Sequence, residues 1–155
     1  MSQRCWALSP SDVAFLWDEC PRCFYLKVAR GLPRPQAAAS SGAVRIIAQM
    51  KASCDGRRTE RIAPEMPAGV FEIGERRLES EPIDVYLPDD VRRCLIRGTL
   101  DSVVRLDDGG YAVVDFAGGR EAGDVAIHGR ELHACAHALE HPAAEIGRAS
   151  CRERV

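Results

Sequence analysis

The strongest constraint on the fold is the stretch RCLIRGTLDSVVRLDDGGYAVVDF, Arg93 to Phe116. Two runs with a period of two flank a cluster of turn residues, the pattern of an antiparallel hairpin. Loop length sets the register. A two-residue loop, Asp108-Gly109, puts Asp115 opposite Ser102. A three-residue loop, Asp107-Asp108-Gly109, with Gly109 in the left-handed bulge position, puts Asp115 opposite Asp101. One face of the first strand carries Ile96, Gly98, Leu100, Ser102, Val104 and Leu106. The apolar set of the second is Ala112, Val114 and Phe116. Only the three-residue loop brings these two sets to the same side, so the sequence predicts that register.

Two acids then face each other, with Cβ atoms about 5 Å apart. Opposed carboxylates repel, and in a partly dry site at most one ionises comfortably. A divalent cation removes that conflict, and oxygen ligands of this kind suit magnesium or manganese. The plainer alternative is a solvated face on which Arg97 and Arg105 neutralise the acids.

The rest of the chain supplies helices and further strands. SPSDVAFLWDECPRCFYLKVARG reads as a helix capped by Ser9 or Ser11 and stopped by Gly31 and Pro33, with Pro21 kinking or splitting it. LPRPQAAASSG is a linker. A second helix, about 41–53, is expected to bury Val44, Ile47 and Met50. After a charged loop, VFEIGERRLES (irregular at Gly74) and PIDVYL read as strands, and a final helix spans about 130–140, ended by His141-Pro142. The expected class is α/β in the broad sense (α+β): an antiparallel-rich mixed sheet flanked by helices.

At 155 residues the chain is one domain by length. A net charge of −2 gives no global attraction to nucleic acid, so such contact needs a local basic patch. With no apolar run of membrane length and no signal-peptide core, the chain reads as cytoplasmic, without a membrane partner. Its seven cysteines are scattered, which suits reduced thiols better than a disulfide framework. The last eleven residues, EIGRASCRERV, have no apolar period, and back-translated they match a common sequencing adapter in one frame. Residues 145–155 are therefore expected to be non-native, leaving 1–144 as a C-terminally incomplete domain.

RGTLDSVVRLDDGGYAVVDF followed by ELHACAHALEHP resembles the core of the PD-(D/E)XK nuclease superfamily, in its RecB-like branch. LSPSDVAFLWDECPRCFYL is similar to the N-terminal helix of that branch. The G-x-x-D element is matched by Gly98, Thr99, Leu100 and Asp101, and the first acid of D-x-K by Asp115. The resemblance implies a restriction-endonuclease-like core, a magnesium or manganese cofactor held by Asp101 and Asp115, DNA as partner, and phosphodiester hydrolysis of the kind used in DNA repair. A lysine two residues after Asp115 would share its face and reach the same water and phosphate. Metal and lysine together generate the nucleophile and stabilise the developing charge.

This chain departs from that pattern. Ala117 occupies the lysine slot, and the usual Q-L-x-x-Y reads Glu131, Leu132, His133, Ala134, Cys135. The second helix also lacks the histidine common in the branch. Arg97 and Arg120 are the candidate replacement cations and nucleic-acid contacts. Glu131 is a third metal ligand or a helix-surface acid, with the surface acid favoured, and Glu79 and Glu81 are equally weak ligand candidates. The expectation is a metal-dependent nuclease impaired by loss of its lysine. The alternatives are an inactive nucleic-acid-binding or structural relative and, further off, a C-x-x-C metal or redox module.

Cys20-Pro-Arg-Cys23 has the spacing of zinc or iron–sulfur ligands. Some RecB-like nucleases pair an N-terminal cysteine, here Cys20, with a C-terminal cysteine triplet. Without that triplet or a second C-x-x-C, the pair reads as core cysteines. His128, His133, His137 and His141 read as a polar helix face, and Arg57, Arg58 and Arg61 as a solvated basic loop that could touch a phosphate backbone.

Overall fold

The computed structural model describes residues 5–35, 41–116 and 125–143. The architecture is mixed α/β, with an open sheet of five strands among the described residues. Strand β4, Asp90–Leu106, organises it. On one edge, β1 (Cys5–Leu8) runs parallel to β4, from Cys5 beside Arg93 to Leu8 beside Ile96. On the same stretch of β4, β3 (Ile83–Leu87) is antiparallel, with Ile83 beside Cys94 and Leu87 beside Asp90. Strand β2 (Gly69–Glu79) also neighbours β4, and β5 (Tyr111–Val113) pairs with its C-terminal end. The chain divides into two compact units. One comprises Met1–Pro35, Arg77–Thr99 and Ala126–Val155; the other comprises Gln36–Arg76 and Leu100–Val125.

In the first unit, the expected long helix is broken at Cys20. A π-helical turn, Asp12–Leu16, continues into a short helix α1 (Trp17–Glu19). Cys20 then takes an extended backbone (φ −160°, ψ 90°), and helix α2 (Pro21–Arg30) starts afresh. Pro21 therefore opens a helix instead of kinking one. At the first helical position its missing N–H costs nothing. Gly31 stops α2 at φ 68° while its N–H bonds back to Lys27 O. The entry is a reciprocal cap. Asp12 N–H donates to Ser9 Oγ (3.2 Å), and Ser9 N–H donates to the Asp12 carboxylate (2.9 Å). Asp12 is buried, and Lys27 Nζ reaches it from α2 at 2.5 Å. Helix α4, Val125–Glu140, begins earlier than its apolar period suggests and ends before His141-Pro142 as expected. A bridge between Ser80 and Pro142 ties its exit to the end of β2.

In the second unit, helix α3 (Ser41–Cys54) packs its C-terminal Cys54 against Phe71 of β2 and Val104 of β4. Met66, Leu106, Ala112, Val114 and Phe116 surround that centre. The hairpin's apolar set is thus the one the pattern gave. The helix is not: Val44 and Met50 are exposed, and only Ile47 of the expected trio is half-buried. The described packing uses one narrow face of α3, reaching the core only at Cys54. Along β2 the buried positions change phase across Gly74, from Gly69 and Phe71 to Leu78, the irregularity expected at that glycine.

Candidate functional site

The hairpin between β4 and β5 has the three-residue loop. Val103 pairs with Val113, Val104 with Ala112 and Arg105 with Tyr111. Leu106 N–H donates to Gly110 O (2.9 Å), closing the loop around Asp107, Asp108 and Gly109. Gly109 sits at φ 91°, the left-handed position that a side chain would strain. Asp108 braces the turn by accepting from Gly110 N–H at 2.8 Å. A bond from Val114 N–H to Ser102 O (3.3 Å) carries the register to the residue before Asp115. Asp101 follows the same register on β4, as the residue that continued pairing sets across from Asp115. Asp115 is exposed and Phe116, beside it, turns into the core.

The arginines expected to neutralise the acids have other recorded partners. Arg105 Nε donates to Glu72 at 2.8 Å, and Glu72 also takes Arg76 at 2.7 Å. Arg97 Nε donates to Glu79 at 2.7 Å, and this partner holds the guanidinium's pKa above its ordinary value. Arg97, the candidate cation for phosphate, is thus an exposed residue paired with Glu79. Glu81 is exposed, and its backbone N–H bonds to His141 O. Ala117 and Arg120 lie outside the described residues.

Glu131 is half-buried on α4. His128 lies three residues before it, on the same helix face. The His128 ring meets Phe15 edge-on, with centroids 5.5 Å apart, and its Nδ1 is buried without a hydrogen-bond partner among the described residues. The remaining histidines do not form a metal ladder. His133 Nδ1 lies 2.7 Å from Gly129 O, while His137 stacks obliquely on His141 at 4.7 Å. His133 and His137 instead line an open, apolar hollow of about 360 Å³ with Val13, Ile83, Ile96 and Ala134. The i, i+4 histidine spacing marks this face in the sequence, but the strand residues opposite it are visible only in the fold.

In the basic loop, Arg58 is paired. Arg58 donates to both oxygens of Asp107, at 2.8 and 2.7 Å, and to Glu60 at 2.6 Å. These partners raise the Arg58 pKa, and Arg58 lowers those of Asp107 and Glu60. Cys20 and Cys23 are half-buried at the start of α2, not core residues as expected. Asp12 and Lys27, which sequence reading passed over, are structural: they lock the helix entry. The only advance signal was the S-x-x-D spacing of a capping box.

Comparison with known proteins adds no relative. No family model matches the chain, and no curated protein or solved structure matches it. Among the described residues, no helix is long and apolar enough to cross a membrane.

Proposed function

We propose that the chain is a cytoplasmic metal-dependent DNA nuclease of the PD-(D/E)XK kind, weakened by the loss of its lysine. The observation that carries the reading is the hairpin register, in which β4 and β5 pair as two acids across a bulged loop require. The residue types fit the cofactor: Asp101 on β4 and Asp115 just beyond β5 are aspartates, whose hard oxygens suit magnesium or manganese with several waters. Asp101 and Asp115 would hold the ion.

When bound, the ion lowers the pKa of a coordinated water and offsets charge on the phosphate. The chain's own residues do the rest. Asp115 lies just beyond β5, beside Phe116, which packs against the core. Ala117 offers no proton donor and no cation where the family carries lysine. That deficit raises the barrier by the worth of one electrostatic contact, about 3–4 kcal/mol. The guanidinium of Arg97 is paired with Glu79.

The test is cleavage of single- and double-stranded DNA by the chain without residues 145–155, in magnesium and in manganese. Weak metal-dependent cleavage, abolished in Asp115→Asn and raised about a hundredfold or more in Ala117→Lys, is the expected result. Cleavage that persists in Asp115→Asn would remove the proposed site. DNA binding without cleavage, even in Ala117→Lys, would favour the inactive binding relative.

A further inference from the structure

We propose that Cys20 and Cys23 form a dithiol–disulfide site, in which Cys20 attacks an incoming disulfide and Cys23 resolves the product. This is independent of the nuclease reading. Three observations place the two thiols in unequal roles. Cys20 is the N-cap of α2, with an extended backbone that turns its side chain over the helix end. There its Sγ accepts the Cys23 N–H at 3.2 Å. Pro21 at the first helical position fixes that entry, so the three-residue spacing sets Cys23 directly beneath Cys20. Both thiols are free and partly open to solvent, which a reactive pair needs and a structural core cysteine does not.

The electrostatics agree. The Cys23 thiol and backbone N–H both donate toward Cys20 and lower its pKa, and Arg34 adds a smaller pull. The same thiol contact, with burial, raises the pKa of Cys23. Arg22 lies between the cysteines, and Arg34 is partly offset by Glu19 at 2.6 Å. The positive end of a ten-residue helix favours negative charge at the Cys20 position. Attacker and resolver are therefore distinct.

The partner class is a small-molecule disulfide such as oxidised glutathione. The Cys20 thiolate attacks one sulfur, forming a mixed disulfide and expelling one glutathione thiolate. Cys23 then gives up its proton and attacks Cys20 Sγ, expelling the second thiolate. The protein ends with a Cys20–Cys23 disulfide, oxidised by two electrons, and the glutathione disulfide is reduced to two thiols.

Trypsin can cleave after Arg22, between the cysteines, so the disulfide would hold two tryptic peptides together. The experiment equilibrates the full chain with oxidised glutathione, blocks remaining thiols and maps the peptides by mass spectrometry. The expected product is the linked pair carrying Cys20 and Cys23. Cys23→Ser should instead accumulate glutathione on Cys20, and Cys20→Ser should leave Cys23 largely unmodified. In the unaltered chain, limiting iodoacetamide should label Cys20 at least about tenfold faster than Cys23. Equal labelling of the two, glutathione on Cys20 of the unaltered chain without the link, or linkage of either cysteine to a different one would overturn the proposal.

Discussion

Arg58 grips Asp107 with both guanidinium nitrogens, at 2.8 and 2.7 Å, and so fastens the loop before β2 to the tip of the hairpin. A bidentate pair of this kind fixes geometry as well as charge. Because Arg58 lowers the pKa of Asp107 and of Glu60, its support is present above the ordinary carboxylate range. It fades as the pH falls through the lowered values. Arg58→Ala should therefore lower Tm modestly at pH 7 and hardly at all at about pH 2, where both acids are protonated even in the native chain. Thermal melts of the two proteins across that range measure it. An equal loss at both ends would show that Arg58 acts by packing alone.

Gly109 makes the register possible. At φ 91° a β-branched side chain is strained, so Gly109→Val should cost about 1–2 kcal/mol in urea unfolding. The larger consequence concerns chemistry: a loop forced to two residues would move Asp115 opposite Ser102 and separate the acids. Gly109→Val should thus depress nuclease activity more than its stability loss accounts for.

If the acids hold a metal, manganese should stabilise the fold. At a concentration one hundred times the dissociation constant the gain is about 2.7 kcal/mol, and it should vanish in Asp115→Asn. Differential scanning calorimetry with and without manganese decides this. A gain that survives in Asp115→Asn would place the ion elsewhere.

Lys27 and Asp12 test the helix entry. Asp12 is 3% exposed, and Lys27 Nζ is its cationic partner at 2.5 Å. Lys27→Met should cost about 1–3 kcal/mol, toward the lower end because the lysine is partly screened by solvent. Pairing it with Asp12→Asn should recover part of the loss, since the amide still caps Ser9 N–H without a buried charge. Chemical unfolding of the single and double variants gives the coupling.

Local signals read well. The hairpin loop, its glycine and the apolar set Val104, Ala112, Val114 and Phe116 follow from alternation and turn chemistry, because strand register is a short-range property. Gly31 and Pro21 were legible as a stop and a break for similar reasons. Strand β1 was not, since Cys5–Leu8 is too short to show a period and is defined by its parallel partner 88 positions away at Arg93. The burial of α3 was misjudged because an apolar period names a face but not how much of it meets a neighbour.

The sequence by itself determined the mixed α/β class, the three-residue hairpin loop and the register of β4 against β5. Those depend on neighbours within one turn or along two adjoining strands. Tertiary structure alone decided which charges are spent. Arg97 on Glu79, Arg105 on Glu72 and Arg58 on Asp107 are partners 18 to 49 residues apart. The sequence had left Arg97 and Arg58 open to a phosphate and Arg105 to the acids of the hairpin. A charge finds its partner through space, and only the folded chain brings the two within reach.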